Sequence, residues 1–342
     1  MYIQDVDLKL KDWAFAQRKN LPYEAKLNLT ETRIIDFNNR FETYVSFSGG
    51  LDSTVLLHIV RRILGDDIPA VFVNTGLEYP EIVDFALNKK NVVELKPEMS
   101  FLAVLKKYGY PFPSKETATK IRKLRHGNLS ERFRNYLLNG DERGKMGKLP
   151  ECWKPLIGGD VDFSEKCCDV MKKKPFYKYQ KETGRMPFLG ITQDESYMRR
   201  RTYEKTGCNI LDGKHPQSKP LGFWTKQNIL RYVVENNLEY CSVYGEIKQD
   251  RNGEYYTTGV ERTGCMFCLL GVHLENEPNR FQRMAKTHPE LYEYCMRGGE
   301  YVDGVFKPKG GLGYRELQYK IGVKLELDEQ ITFESEVGEN EN

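Results

Sequence analysis

The sequence predicts an α/β fold: a doubly wound, mostly parallel sheet with a cysteine-bearing C-terminal extension. Three observations carry this. Short β-branched and aromatic runs recur at TYVSF (43–47), IPAVFVN (68–74), NVVELK (91–96) and MPFLGI (186–191). They are apolar almost throughout, as strands covered on both faces are. Stretches with helical spacing of apolar residues alternate with them, which is the rhythm of parallel strands joined by crossover helices. Finally, the cysteines gather in an adjacent pair at Cys167-Cys168 and a CxxC at Cys265 and Cys268.

Each element follows in order. Residues 1–40 read as a helical lead-in rich in Lys, Asn and Glu. The domain of alternating strands and helices spans 41–240. Its first strand is TYVSF, followed by the turn SGGLDS (48–53) and the helix TVLLHIVRRIL (54–64), which Gly65 ends. TGLEYPEIVDFALN (75–88) is a loop running into a second helix. Residues 114–148 change character, with ten Lys or Arg against four acids, a net +6. KQNILRYVVENN (226–237) is a helix with Thr225 as its N-cap. The region 241–324 is turn-rich at its start and holds the CxxC. The last residues, 325–342, carry seven acids and no base, a solvated tail.

Length and composition exclude several classes. A chain of 342 residues suggests roughly two units. No apolar run approaches the roughly 20 residues of a membrane-spanning helix. The acidic start MYIQDVDLKLKDW is not a secretory signal, so a cytoplasmic protein is expected. Charge is 52 basic against 49 acidic residues, +3, which does not itself imply nucleic acid. Aromatics at 12%, with 21 Tyr, argue for a folded chain.

Ser48-Gly49-Gly50-Leu51-Asp52-Ser53 lies between a strand and a helix. Two glycines let the backbone approach a ligand and take positive φ. Successive N–H groups then face one concavity, and the helix N-terminus adds its dipole. Ser48 and Ser53 can donate hydroxyl bonds, whereas Asp52 suits a helix cap or a metal. The pattern is neither GxxxxGK[ST] nor GxGxxG. The plain alternative is an ordinary Gly-rich turn capped by Ser and Asp; the full strand–SGGxDS–helix context favours a phosphate or sulfate site.

Eight cysteines in a chain of this length suggest metal ligands or redox groups in a reducing compartment. Adjacent cysteines are awkward around one tetrahedral ion but can reach different irons of a cube. The CC…CxxC arrangement, with Cys168 and Cys265 97 residues apart, therefore points to a [4Fe–4S] cluster, with zinc or free redox thiols as alternatives. Cys152, Cys208 and Cys241 read as small buried hydrophobes. The five His are scattered and assigned to no metal.

VSFSGGLDSTVLLHI resembles the PP-loop of the ATP pyrophosphatase (adenine nucleotide alpha-hydrolase-like) superfamily, and specifically the phosphoadenosine-phosphosulfate (PAPS) reductase family. Five further stretches resemble that family in order: AVFVNTGLEYPE (70–81), CCDVMKKKP (167–175), FLGITQDESYMRR (188–200), KPLGFWTKQNILRYV (219–233) and RTGCMFC (262–268). Asn74 stands where an Asp is usual, and Thr192 replaces an Arg, removing one expected positive charge. The resemblance covers about 43–270 and implies an adenine nucleotide over the carboxyl ends of the strands. ATP, adenylyl sulfate or PAPS would be held by Ser48, Gly49, Gly50, Asp52 and Ser53, with Gly76 near the nucleotide and magnesium as an accompanying ion. Lys172, Arg199 and Arg200 would supply catalytic positive charge. Cys167, Cys168, Cys265 and Cys268 resemble the ligands of the cluster-bearing, adenylyl-sulfate-using branch.

One departure matters for the reaction. The family's reductases carry a mobile C-terminal cysteine in an ECGxH-type motif, and residues 296–342 contain no cysteine. Cys295 lies on a helix-like stretch without that motif. The expectation is therefore an adenylating sulfurtransferase, with a sulfur donor and a nucleic-acid acceptor approached through the basic stretch 114–148. The alternatives are a sulfonucleotide reductase drawing on Cys295 or a thioredoxin-like partner, and a non-catalytic nucleotide-binding module.

Overall fold

The computed structural model describes residues 12–192, 197–213 and 215–327, and for 12–14 and 197–199 the backbone alone. The acidic tail beyond 327 lies outside the described residues. The chain divides into two compact units. One takes its described residues from Met1–Asn74, Glu78–Lys96 and Pro175–Thr263, the other from Thr75–Leu77, Pro97–Lys174 and Gly264–Asn342. Both are discontinuous in sequence, so they cut the chain differently from boundaries drawn in sequence order. No helix among the described residues is long and apolar enough to cross a membrane.

The first unit holds a six-stranded sheet. Its strands are β1 (Thr43–Phe47), β2 (Ala70–Val73), β3 (Val92–Leu95), β4 (Met186–Leu189), β5 (Asn209–Ile210) and β6 (Gln217–Ser218), in the order β3-β2-β1-β4-β6-β5. All pairs are parallel except β5 with β6. β1 pairs Phe47 with Phe72 on one side and Ser46 with Leu189 on the other. Chain order therefore reverses at β1, whose neighbours β2 and β4 are separated by more than a hundred residues of chain. In open α/β sheets this switch point is where a crevice opens at the carboxyl ends of the strands.

Buried aliphatic and aromatic side chains explain the strands: Val45, Phe47, Phe72 and Phe188 sit in one core with Val55, Ile59 and Val60 of α3 (Leu51–Leu64). The lead-in forms α1 (Asp12–Lys19) and α2 (Tyr23–Asn38), which contributes Ile34 and Phe37 to that core. The second crossover helix, α4 (Pro80–Leu87), follows β2 with proline in its first turn, where the missing N–H costs nothing. Thr225 caps the later helix Lys226–Glu235 through a bond to Asn228 N, and Asn228 returns the bond to the Thr225 amide. Trp224, fully buried, donates to the Thr30 hydroxyl at 2.8 Å.

The second unit is mainly helical. α5 (Phe101–Tyr108), α6 (Lys115–His126) and α7 (Glu131–Asn139) precede a short helical turn α8 (Lys166–Cys168). A π-helical turn, Asp169–Lys173, follows α8, a wide-turn geometry that is rare and recurs at functional sites. The helices of the C-terminal part are Arg280–Thr287, Pro289–Met296 and Tyr314–Ile321. Tyr314, wholly buried, ties them to the CxxC loop by donating to Phe267 O at 2.7 Å.

Candidate functional site

The glycine loop sits on the carboxyl end of β1. Gly49 has φ +72 and Gly50 φ −77, ψ 160, so the chain turns sharply and α3 starts at Leu51. The cap of α3 is Gly50, with no side-chain cap bond. Asp52 is therefore the second residue inside the helix, and its reading as a helix cap is corrected. The cause is the glycine pair, which lets the backbone enter the helix two residues early. A carboxylate in a first helical turn still complements the dipole.

The loop is tightly constrained. Ser48 N donates to Ser53 Oγ at 3.2 Å, the two serine hydroxyls are 3.0 Å apart, and Ser53 Oγ donates to Gly50 O at 2.9 Å. Thr54 Oγ1 also donates to Gly50 O at 3.0 Å. Space explains both glycines. A Cβ on Gly49 would lie 2.9 Å from Ile82 Cγ2, and one on Gly50 would lie 3.1 Å from Thr263 Oγ1 and 3.2 Å from the Tyr244 hydroxyl. Gly190, just beyond β4, is equally confined: its Cβ would lie 2.9 Å from Ser53 Cα. The switch point thus brings two glycine turns against the first turn of one helix.

Tyr244 and Thr263 complete this arrangement, and sequence reasoning passed over both. Leu51 N donates to the buried Tyr244 hydroxyl at 3.2 Å, and that hydroxyl lies 2.8 Å from Thr263 Oγ1. Burial, opposed by the Thr263 and Leu51 bonds, pushes the Tyr244 phenol up to about 12, so it stays protonated at neutral pH. Thr263 stands in the RTGC segment and Gly190 in FLGIT, so both lay within quoted motifs. Tyr244 had no such signal.

In the second unit the four cysteines singled out from sequence come within electrostatic reach of one another. Burial raises the Cys167 thiol, the neighbouring Cys168, Cys265 and Cys268 sulfurs raise it further, and Lys172 lowers it. The Cys268 thiol is likewise raised by burial, against the opposing pull of a Leu270 amide bond and of Arg280 and Lys172. Cys268 N donates to Cys265 O at 3.1 Å, the tight turn expected of a CxxC. Arg280, itself held by Glu275, donates to Cys268 O. Among the described residues no group of three His, Cys, Asp or Glu is arranged to hold a metal ion.

The remaining sequence candidates are placed as follows. Lys172 lies half-buried on the π-helical turn, within electrostatic reach of Cys167 and Cys268. Gly76 has φ +73 with open space where a Cβ would be. Arg200 lies on the helix Tyr197–Thr206, bonded to Glu204 Oε1 at 2.9 Å and 5.1 Å from the Phe15 ring centre. The Arg199 side chain lies outside the described residues. Asn74, in place of the usual acid, donates to Glu94 at 2.8 Å, and Thr192 is buried. Cys208 and Cys241 are buried as expected, but Cys152 is exposed, a correction: it lies on a charged 3₁₀ turn beside Glu151 and Lys154 that contributes no buried residue.

The chain is similar to known proteins along much of its length. The phosphoadenosine phosphosulfate reductase domain matches residues 42–126 and 143–270. An uncharacterized protein of Methanocaldococcus jannaschii is 24% identical over 249 residues, covering 73% of this chain and 39% of that protein. A second from the same organism is 26% identical over 262 residues, 75% of this chain and 47% of its own length. A phosphoadenosine 5′-phosphosulfate reductase of Buchnera aphidicola is 26% identical over 208 residues, 58% of this chain and 64% of that enzyme. The chain thus spans less than two thirds of the length of each. Among solved structures, the phosphate complex of phosphoadenylyl-sulfate (PAPS) reductase from Candida auris aligns with TM-score 0.37 at 14% identity, over 72% of this chain and 99% of that one.

Proposed function

This chain belongs to the phosphoadenosine phosphosulfate reductase domain family, and we propose that it is an adenine-nucleotide-dependent enzyme of sulfur chemistry that adenylates an acceptor and passes sulfur to it. The observation that carries the nucleotide reading is the loop: glycines without room for a Cβ, at the switch point, against a helix N-terminus. Ser48, Gly49, Gly50 and Ser53 hold the terminal phosphates there through backbone amides and hydroxyls. Asp52 sits where it can meet a magnesium ion accompanying the nucleotide.

In this reading an acceptor oxygen attacks the α-phosphorus of ATP. The new P–O bond forms, the bond to the β-phosphate oxygen breaks, and pyrophosphate leaves. A hydrosulfide-equivalent donor then displaces AMP from the activated acceptor. The loop stabilises charge gathering on the leaving pyrophosphate, which is preorganised electrostatic catalysis. Arg199 and Arg200, of the loop's own unit, are assigned to the same task. Gly76, with its left-handed backbone and open flank, lets the nucleotide pass close to the chain.

Adenylation is favoured over reduction by the state of Cys295. It is fully buried, and burial holds its thiol far above the ordinary range. A reductase nucleophile must be mobile and reach the thiolate form. Reduction, releasing sulfite from a sulfonucleotide with a thioredoxin-like reductant, is the second reading, because a Buchnera relative bears that enzyme's name.

By donor type the four cysteines suit an iron–sulfur cluster, whose irons take cysteine sulfur, although the described residues do not gather three of them into one metal-holding group. Cys167, Cys168, Cys265 and Cys268 would hold a [4Fe–4S] cluster, and zinc is the alternative occupant. When bound, it supplies one-electron redox capacity and a fixed charge beside Lys172. Anaerobic preparation should give about four irons per chain, falling in Cys167→Ser and Cys268→Ser.

The deciding experiment incubates the chain with ATP and follows pyrophosphate and AMP, and separately with adenylyl sulfate and thioredoxin, following sulfite. Pyrophosphate release supports adenylation. Sulfite production that Cys295→Ser abolishes overturns it. Tight nucleotide binding with neither product marks a non-catalytic module.

A further inference from the structure

The basic stretch 114–148 shows an arrangement that its composition does not disclose. Phe133 and Tyr136, three residues apart on α7, stack with ring centres 6.2 Å apart and planes 16° apart. Both are exposed, at 37% each, and α7 buries Leu137 alone. Two stacked aromatic rings on solvent, on a helix that needs neither for its core contact, form a surface apt for another π system.

Eight of the ten cations of the stretch divide into two groups; of the other two, Lys123 lies over the Phe133 ring at 5.5 Å and Lys115 is exposed at the start of α6. Arg122 makes a two-pronged bond to Glu165, Arg125 donates to Val161 O and pairs with Asp162, Arg134 donates to Leu124 O, and Lys120 pairs with Glu116. These hold the fold together. Arg132, Arg143, Lys145 and Lys148 are exposed. The loop that carries the last three is closed by Asp141 N donating to Met146 O at 2.9 Å. It rests on Tyr136, for a Cβ on Gly147 would lie 2.1 Å from Tyr136 Cζ. Of the acids beside this rim, Asp141 is occupied by the amides of Lys145 and Met146, which hold its carboxyl below the ordinary range, while Glu131 and Glu142 are exposed next to Arg132 and Arg143.

We propose that α7 and the loop 140–148 form a docking surface for single-stranded nucleic acid. Unpaired bases stack on Phe133 and Tyr136 while the phosphates meet Arg132, Arg143, Lys145 and Lys148. Stacking tolerates any sequence because every base has a π face, and a cationic rim supplies the salt-dependent remainder. A duplex keeps its base faces inside the stack and cannot use the rings. An acidic polypeptide would use the cations but has no need of the aromatic pair. The surface does not depend on the reaction proposed above.

Fluorescence anisotropy of the full chain, with no nucleotide added, tests it with a labelled mixed-sequence RNA or DNA strand of about 15 nucleotides, within the range single-strand sites span. The strand should bind more tightly than its own duplex. Phe133→Ala with Tyr136→Ala should weaken it by about tenfold or more, given the usual loss per stacked base. Four phosphate contacts predict a slope of log K against log salt near −2.8, a loss of about 50-fold between about 50 and about 200 mM salt. Arg132→Ala with Lys145→Ala should halve that slope, and it leaves the rings in place should the aromatic variant prove unstable by thermal melting. The proposal is overturned by no binding at low salt, by affinity indifferent to the aromatic substitutions in a folded variant, by equal affinity for duplex, or by polyglutamate competing as well as the strand.

Discussion

Replacing Gly49 with alanine imposes two penalties that can be separated. The first is backbone: φ is +72, and an L-residue in the left-handed region costs roughly 1–2 kcal/mol. The second is steric: the new Cβ would stand 2.9 Å from Ile82 Cγ2 and 3.2 Å from Ile82 O, and overpacking of this kind costs roughly 1–3 kcal/mol. Together they amount to roughly 2–5 kcal/mol. Gly184 is the matched control in the same unit, with φ +71 and nothing within 4 Å of its Cβ. Gly184→Ala should therefore show only the backbone penalty. Both variants stiffen the unfolded chain alike, by about 0.4–1 kcal/mol, so that term cancels between them. Urea unfolding of the two variants, with parallel titration of ATP, reads both consequences. Gly49→Ala should be less stable than Gly184→Ala by about 1–3 kcal/mol. It should also lose about tenfold or more in ATP affinity, because the turn must shift to admit the methyl group, and tenfold is only about 1.4 kcal/mol. Equal stability of the two variants, with ATP affinity unchanged in both, would refute the claim that this glycine is confined and that the loop binds phosphate.

Gly190→Ala should act on the same helix from the other side. Its Cβ meets the backbone of Ser53, which cannot rotate away, so melting temperature and ATP affinity should both fall while Gly184→Ala spares affinity. Tyr244→Phe removes the hydroxyl that receives Leu51 N, and leaving that buried amide unpaired should cost about 1–3 kcal/mol in urea unfolding. Thr225→Ala removes an N-cap and should cost about 1 kcal/mol with no change in ATP affinity. Cys295 sets a pH dependence. Its folded thiol is raised by burial, so the native chain keeps a proton that the unfolded chain loses above about pH 8.5. The stabilisation is complete below that point and declines as pH rises toward the folded value. Mass spectrometry after iodoacetamide treatment near neutral pH should find exposed Cys152 modified and Cys295 untouched, and metal-free Cys295→Ala should lose less stability on the alkaline side.

What was legible in the sequence is what short-range pattern encodes. β1, β2 and β4 announce themselves because each is a largely apolar, mostly buried run with a strand on either side, β3 shows through Val92, Val93 and Leu95 although it is a half-buried edge strand carrying Glu94, and Thr225 announces its helix because a cap bonds within three residues of itself. β5 and β6 stayed hidden because two residues each cannot display a period. The cap of α3 was misplaced because propensity favours a carboxylate there, whereas the glycine turn moves the helix start ahead of Asp52. Cys152 was misread because burial is decided by its turn and not by its residue type. The larger omissions share one cause. The Tyr244 hydroxyl reaches the glycine turn and its helix from 193 residues away, and Arg122 finds its acid at Glu165, beyond the stretch whose charge had been summed. A net +6 could therefore be read as a uniform patch, although four of its ten cations, Lys120, Arg122, Arg125 and Arg134, are engaged within the fold and four others frame two stacked rings. Composition counts charges, and only the tertiary pairing decides which of them are left to meet a partner.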